Sequence, residues 1–148
     1  MTLPKRALVT AALPYSNGRL HVGHIVGAYL PSDTYVRYLR LQGVPVRFIC
    51  GSDDHGVAIM LTAQREGRTP AEVAKHYHGL QEQAFKGLRI DFDIYSSTSR
   101  NPHHASLSQE FFLETLKKGF FEKRRTKQFY DPTKEQFLPD RFVRGTCG

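Results

Sequence analysis

The chain contains 148 residues, of which 40% are hydrophobic and 24% are charged, and its 21 Lys and Arg against 14 Asp and Glu give a net charge of +7. This composition excludes disordered and low-complexity chains, and the length suits one domain or part of a larger one. A basic chain suits polyanionic partners such as nucleotides or RNA. No apolar run reaches the roughly 18 residues of a membrane span, and the N-terminus lacks a signal-peptide pattern, so we expect a cytoplasmic protein with no membrane association.

The first fifty residues predict a strand, a helix and a second strand. Residues 7–13 form a short apolar run that ends in a Pro-Tyr-Ser-Asn-Gly turn, which is typical of a buried strand. Apolar positions recur at helical spacing over residues 24–41, and Gly43 follows where such a helix should stop. Residues 44–50 then predict another strand. This order is a βαβ unit with a parallel sheet.

The remaining segments continue the alternation and then change character. We expect two helices, a strand and a further helix, at residues 57–65, 69–88, 91–95 and 103–118. Thr69-Pro70-Ala71-Glu72 is a strong signal for a helix start, because it combines a cap, a proline and a glutamate at the right spacing. After Gly119 the sequence indicates a β-rich unit. The predicted domains are therefore residues 1–117 and residues 118–148.

The loop between the first strand and the first helix carries the clearest chemical signal. His21 and His24 are three residues apart and fall on one side of the opening helical turn. Gly23 between them lets a nucleotide approach the backbone. Imidazoles at a helix start can stabilise the charge that develops on a transferring phosphate. The alternative is that one histidine caps the helix and the other lies on the surface.

Several segments in the same order resemble the methionyl-tRNA synthetase family of class I aminoacyl-tRNA synthetases. The His-x-Gly-His sequence resembles the family's "HIGH" signature, and it follows Leu-Pro-Tyr-Ser-Asn-Gly at residues 13–18. The other matching segments are residues 48–56, 129–132 and 137–143. Ordered motifs over about 130 residues are far more specific than any single motif. The resemblance implies an α/β fold, namely the N-terminal half of a Rossmann-like catalytic domain followed by the start of an inserted connective domain.

The resemblance also implies an enzymatic activity and roles for particular residues. The family uses ATP, with Mg²⁺, to activate methionine as methionyl-adenylate and then transfers the methionyl group to tRNA(Met). By this resemblance His21, Gly23 and His24 bind ATP, and the two histidines are catalytic. Asp53 is implied to bind the ammonium group of methionine, although it can instead cap the next helix. Leu13 and Tyr15 are implied to line the methionine pocket, although strand-end packing explains them as well.

Cys147 resembles the first cysteine of the zinc-binding knuckle in the family's connective domain. A structural Zn²⁺ needs four ligands, and the chain supplies at most one of them. No Lys-Met-Ser-Lys-Ser motif is present in the sequence either. We therefore expect this chain to be an inactive fragment of a methionine-specific ligase, which binds Zn²⁺ only when complete.

The sequence also predicts roles for the other histidines and for Cys50, and it leaves two alternative functions for the chain. We expect His55 to be structural, Cys50 to be a buried strand residue, and His76, His78, His103 and His104 to lie on helix surfaces. One alternative function is a free-standing nucleotidylyltransferase that uses the same His-x-Gly-His site. The other is a non-catalytic binding module derived from a synthetase.

Overall fold

A computed structural model describes residues 3–133 and 135–139. The chain divides into two compact units, Met1–Ala105 and Ser106–Gly148. The first unit contains β1 (Ala7–Thr10), α1 (Val22–His24), a π-helical segment (Ile25–Tyr29), α2 (Leu30–Leu41), β2 (Val46–Ser52), α3 (Val57–Glu66), α4 (Pro70–Gly87) and β3 (Ile94–Ser97). Helix α5 (His104–Lys117) begins at the end of this unit, and β4 (Phe129–Asp131) and β5 (Gln136–Leu138) follow it in the chain.

The three strands of the first unit form one parallel sheet in the order β1-β2-β3. Val9 of β1 lies opposite Phe48 of β2, and Ile49 of β2 lies opposite Ile94 of β3. Parallel neighbours cannot be joined by a tight turn, so each pair needs a crossover connection. The helices supply both crossovers. This arrangement confirms the predicted α/β fold and places the carboxyl ends of all three strands at one edge.

The helices cover one face of this sheet and build the core there. Phe48 of β2 and Val36 of α2 are both fully buried, and they belong to one cluster with Tyr29 and with Phe85 of α4. The rings of Tyr29 and Phe85 meet edge to face, with 4.7 Å between their centroids. On the opposite face, Leu8 of β1 is 66% exposed. The packing that fixes the strand positions therefore lies on the helical side.

The helix between β1 and β2 accommodates its proline through a local change in geometry. Pro31 lies in the first turn of α2 and has no N–H to donate to the preceding turn. The π-helical segment directly precedes it, so the helix widens and continues instead of breaking.

The predicted start of α4 is confirmed, because Thr69 and Glu72 form a reciprocal capping box. In the described part of the chain, no helix combines the length and apolarity needed to cross a membrane.

The third strand begins later than the sequence predicts. The pattern favoured a strand over residues 91–95, but β3 spans Ile94–Ser97. The Asp93 carboxylate accepts a hydrogen bond from the Phe48 N–H at 2.6 Å and pairs with Arg40 at 3.1 Å. The Asp93 side chain thus replaces the backbone carbonyl that a β-strand would offer to the Phe48 N–H. Such an exchange is not visible in apolar periodicity, and it moves the start of regular pairing to Ile94.

The second unit contains a short hairpin and most of α5. Strands β4 and β5 pair in antiparallel fashion, with Phe129 opposite Leu138. The rings of Tyr130 and Phe137 pack across the pair with 5.1 Å between their centroids. Gly119 has a φ of +76°, which favours glycine, and its N–H caps the end of α5. Strands after Gly119 agree with the sequence analysis, while the boundary at residues 117 and 118 stays a prediction.

Candidate functional site

The loop after β1 and the segment after β2 meet at the carboxyl edge of the sheet. The Ser16 N–H donates to the Asp53 carbonyl at 3.0 Å, and the Asp53 N–H donates to the Pro14 carbonyl at 2.8 Å. These bonds form an isolated parallel bridge between Tyr15 and Asp53. Tyr15 is 47% exposed. Two of the residues predicted to bind methionine therefore lie side by side, at the edge where α/β sheets bind ligands.

The helix-capping alternative for Asp53 is not what the structure contains. The N-cap of α3 is Gly56, and it makes no side-chain capping hydrogen bond. The Asp53 carboxylate instead accepts a long hydrogen bond, 3.4 Å, from the N–H of His55. Asp53 therefore retains acceptor capacity for a cationic group, and His55 contributes through its backbone.

Leu13 lies in a different part of this edge. It is half exposed and lines a cavity of about 240 Å³ together with Cys50, Gly51 and other residues from the ends of β1, β2 and β3. A Cβ at position 51 would lie 3.0 Å from the Ser96 carbonyl oxygen, so only glycine fits there. Cys50 is buried, as predicted, and burial raises the pKa of its thiol to about 11. The Cys50 thiol in the lining of this cavity is therefore uncharged at neutral pH.

His21 and His24 form a stacked pair at the start of α1. Their ring centroids are 3.6 Å apart. His21 Nδ1 accepts a hydrogen bond from the His24 backbone N–H, and His24 Nδ1 accepts one from the His21 N–H, both at 3.3 Å. A ring nitrogen that accepts carries no proton, so the neutral rings hold their protons on Nε2. Each histidine therefore caps the helix with one nitrogen and keeps an N–H donor on the other.

The surroundings of the pair disfavour protonation of His24, and the His21 ring lies close to Gly23. Burial, followed by repulsion from the positive charge of His21, lowers the pKa of His24. A Cβ at Gly23 would lie 3.0 Å from both Cε1 and Nδ1 of the His21 ring. A side chain at this position would therefore require the His21 ring to shift within the observed stack. The capping role and a ligand-binding role, treated as alternatives in the sequence, are compatible in the structure.

Asp54 is a central residue of this region, and the sequence analysis did not single it out. Its side chain is fully buried, and its carboxylate accepts hydrogen bonds from four serine hydroxyls: Ser16, Ser52 at 2.6 Å, Ser97, and Ser99 at 2.7 Å. Burial alone raises the pKa of this carboxyl, but the four hydroxyls outweigh it and lower the pKa to about 2. Asp54 is therefore a buried permanent anion next to Asp53.

Two residues of α4 also reach this region. His78 Nδ1 lies 2.7 Å from the Ser52 hydroxyl, and its ring stacks on Tyr95 with 4.8 Å between centroids. Because Ser52 uses its only proton on Asp54, His78 must donate from Nδ1. The prediction of a helix-surface role for His78 was wrong, since its ring packs against the ends of β2 and β3.

Gln81 of α4 holds the loop after β1 from the other side. It is 1% exposed, and its amide group donates to the carbonyls of Tyr15 at 2.8 Å and Gly18 at 3.3 Å. The Tyr95 hydroxyl donates to its Oε1 at 3.0 Å. The sequence gives little indication that this glutamine is buried. Its role becomes clear only from the structure, where the carbonyls of Tyr15 and Gly18 lie within hydrogen-bonding distance of its amide group.

Cys147, the predicted zinc ligand, lies outside the described residues. Within residues 3–133 and 135–139, no group of three or more His, Cys, Asp or Glu side chains could hold a metal ion. The zinc-binding role of Cys147 therefore stays a prediction from the sequence.

Comparison with known sequences identifies related proteins over almost the whole chain. The profile of tRNA synthetases class I (M) matches residues 7–148. The methionine–tRNA ligase of Flavobacterium psychrophilum is 54% identical over 144 residues, which cover 97% of this chain and 21% of that protein. The methionine–tRNA ligase of Rubrobacter xylanophilus is 50% identical over 143 residues, which cover 97% of this chain and 25% of that protein. The chain thus spans about a fifth to a quarter of these curated relatives.

Solved structures give the same result for the fold. The methionyl-tRNA synthetase of Mycobacterium tuberculosis in complex with methionyl-adenylate matches with a TM-score of 0.77 and 26% identity, over 92% of this chain and 26% of that chain. The LeuRS–tRNA–LeuAMS ternary complex of Agrobacterium radiobacter matches with a TM-score of 0.76 and 25% identity, over 90% of this chain and 17% of that chain. These matches confirm the predicted Rossmann-like synthetase fold.

Proposed function

The chain belongs to the family of class I (M) tRNA synthetases, and from this membership we propose that it is part of a methionine–tRNA ligase. The observation that carries the proposal is the 54% identity with a methionine–tRNA ligase over 97% of the chain. Residues 1–117 would form the first half of the catalytic domain, and residues 118–148 would begin a connective insertion. Since the chain spans about a fifth of its relatives, the activity belongs to the complete protein.

The proposed reaction has two steps. A carboxylate oxygen of methionine attacks the α-phosphorus of ATP, so that an O–P bond forms and the bond from the α-phosphorus to the bridging oxygen breaks. Pyrophosphate leaves, with Mg²⁺ as the counterion of the phosphates. The terminal ribose hydroxyl of tRNA(Met) then attacks the methionyl carbonyl, and AMP leaves. Neither step needs a covalent bond to the protein, so the protein contributes positioning and electrostatic stabilisation.

The Asp53 carboxylate would bind the ammonium group of methionine. The geometry supports this role, because Asp53 is joined to Tyr15 through backbone hydrogen bonds and does not cap α3. A charge-assisted hydrogen bond at the ammonium fixes the direction of the carboxylate that attacks ATP. Tyr15 would lie against the thioether side chain, since sulfur packs well at aromatic edges. Leu13 would add an apolar wall from its neighbouring cavity.

The histidine pair would bind the phosphates of ATP. Nδ1 of each ring takes part in the helix cap, which leaves the Nε2–H groups as a pair of donors for the α-phosphate and the leaving pyrophosphate. Donors already oriented before the reaction stabilise the developing charge without reorganisation. Gly23 would keep the space beside the His21 ring open.

The rest of the proposal concerns the complete protein. Cys147 would supply one ligand of a structural Zn²⁺, which would stabilise the connective domain and take no part in the chemistry. We also propose a cytoplasmic location, where the tRNA partner is found. Because the sequence has no Lys-Met-Ser-Lys-Ser motif, the 148 residues alone would not turn over.

Methionine-dependent exchange of radiolabelled pyrophosphate into ATP tests the proposal. We expect the complete protein to exchange label only when methionine is present, and the isolated 148-residue chain to exchange none. Exchange without any amino acid would instead support a free-standing nucleotidylyltransferase. Binding of tRNA with no exchange at all would support a non-catalytic module.

A further inference from the structure

The serine hydroxyls around Asp54 come from separate parts of the first unit. Ser52 is the last residue of β2, Ser97 is the last residue of β3, and Ser99 follows in the next loop. Ser16 comes from the loop after β1, directly after Tyr15. One buried carboxylate therefore connects the ends of two strands to the loop that carries Tyr15.

Polar contacts, not apolar packing, hold the tip of that loop, and one of them is the hydrogen bond from the Gln81 amide to the Tyr15 carbonyl. Leu13 and Tyr15 are 51% and 47% exposed, so apolar packing contributes little there. Ser16, in contrast, is fully buried, and its hydroxyl donates to Asp54 Oδ1. The backbone bonds from Asp53 to Pro14 and Ser16 lie directly beside this contact. The position of Tyr15 relative to Asp53 thus depends on the anchor at Ser16 as well as on Gln81.

We propose that Asp54, acting through the Ser16 hydroxyl, is a positioning residue that fixes Tyr15 against Asp53 and so shapes the methionine subsite. The inference rests on the proposed function, since it assigns a role within that same subsite. A buried charge can fix the position of a loop, because hydrogen bonds to a charged group are strong and directional when water is excluded. The depressed pKa of Asp54 is consistent with a carboxylate that stays charged throughout the physiological range.

Two serine variants separate positioning from general stability. Ser16→Ala and Ser99→Ala each remove one hydroxyl from the same Asp54 carboxylate, but only Ser16 lies in the loop that carries Tyr15. Ser16 is fully buried and Ser99 is exposed, so Ser16→Ala should lower the melting temperature more than Ser99→Ala. The distinguishing measurement is the KM for methionine in pyrophosphate exchange by the complete protein, with the KM for ATP measured in parallel.

We expect Ser16→Ala to raise the KM for methionine about tenfold, the scale of one lost buried hydrogen bond at a positioned site, and Ser99→Ala to change it less than about twofold. The KM for ATP should stay within about twofold in both. Ser16→Cys, which keeps a weak donor of similar size, should recover part of the loss and provides a second folded variant if Ser16→Ala does not fold.

Equal methionine KM values for Ser16→Ala and Ser99→Ala would overturn the inference, as would an unchanged KM in Ser16→Ala. These results would leave the proposed function intact, because the wild-type protein would still exchange label with methionine. An absence of methionine-dependent exchange in the wild-type protein would instead refute the proposed function, and this inference with it.

Discussion

The two proposed halves of the ligand site are held by different kinds of contact. Asp53 and Tyr15 are joined by backbone bonds across the sheet edge, next to the buried anion of Asp54. His21 and His24 are exposed and are held mainly by each other, through bonds within one helical turn. A buried network resists rearrangement, whereas an exposed local cap can open when a ligand arrives. The proposed methionine side is therefore the more rigid of the two, whereas the donors of the proposed phosphate side are oriented by the cap but can still adjust.

Removing the buried anion should produce the largest effect. Asp54→Ala leaves four serine hydroxyls without their acceptor, and we expect it to lower the free energy of unfolding by about 3–5 kcal/mol. Urea denaturation of the complete protein measures this loss. Asp53→Ala is the matched control, because its partly exposed side chain makes one long hydrogen bond, and it should cost less than about 1 kcal/mol. Similar losses in the two variants would show that the serine network is not a special source of stability.

The same comparison can be made by changing pH. The pKa of Asp54 is lowered to about 2 in the folded protein, below its ordinary value of 3.8. Its stabilising contribution is therefore present above pH 4 and is lost as the pH falls toward 2. This amounts to about 2 kcal/mol of linked stability. Asp54→Asn, which cannot titrate, should show a shallower loss of stability over the same range.

On the phosphate side, loss of a ring donor should affect rate more than stability. His24→Asn keeps a side-chain oxygen that can accept the His21 N–H but removes the Nε2 donor. We expect adenylate formation to slow by about 10²–10³, the scale for losing one transition-state donor. Single-turnover kinetics measures this step. His76→Asn, on an exposed position of α4, should leave the rate unchanged. A normal rate in His24→Asn would remove that ring from the mechanism.

The fold was predictable from sequence wherever regular apolar spacing or a cap motif fixes an element. The strand–helix–strand order and the Thr69–Glu72 capping box depend on neighbouring residues, and both were predicted. The late start of β3 was not, because the Asp93 side chain replaces a backbone acceptor from a strand that is distant in sequence. Boundaries of this kind depend on tertiary contacts, which periodicity does not record.

The same distinction between local sequence patterns and tertiary contacts applies to the candidate site. Ordered motifs predicted Tyr15, Asp53 and the histidine pair as site residues, and the structure brings the members of each pair together. Asp54 was missed because its four serine partners come from three separate segments of the chain. Two acidic residues in a row gave no indication of which one would be buried. A cluster of serines at strand ends, beside such a pair, is the signal that could have revealed it.

The smallest effect concerns two glycines in one helical stretch and tests how far the phosphate side can adjust. Gly23→Ala places a methyl group 3.0 Å from the His21 ring, whereas a Cβ at Gly27 meets nothing within 4 Å in the described residues. Gly27→Ala should gain up to about 1 kcal/mol of helix stability, whereas Gly23→Ala should gain less, because displacing the His21 ring weakens the helix cap. We expect only Gly23→Ala to slow adenylate formation, by about tenfold, because its methyl group displaces the stacked ring. Equal rates in the two variants would mean that the histidine stack rearranges at no cost, and that the ligand alone sets its geometry.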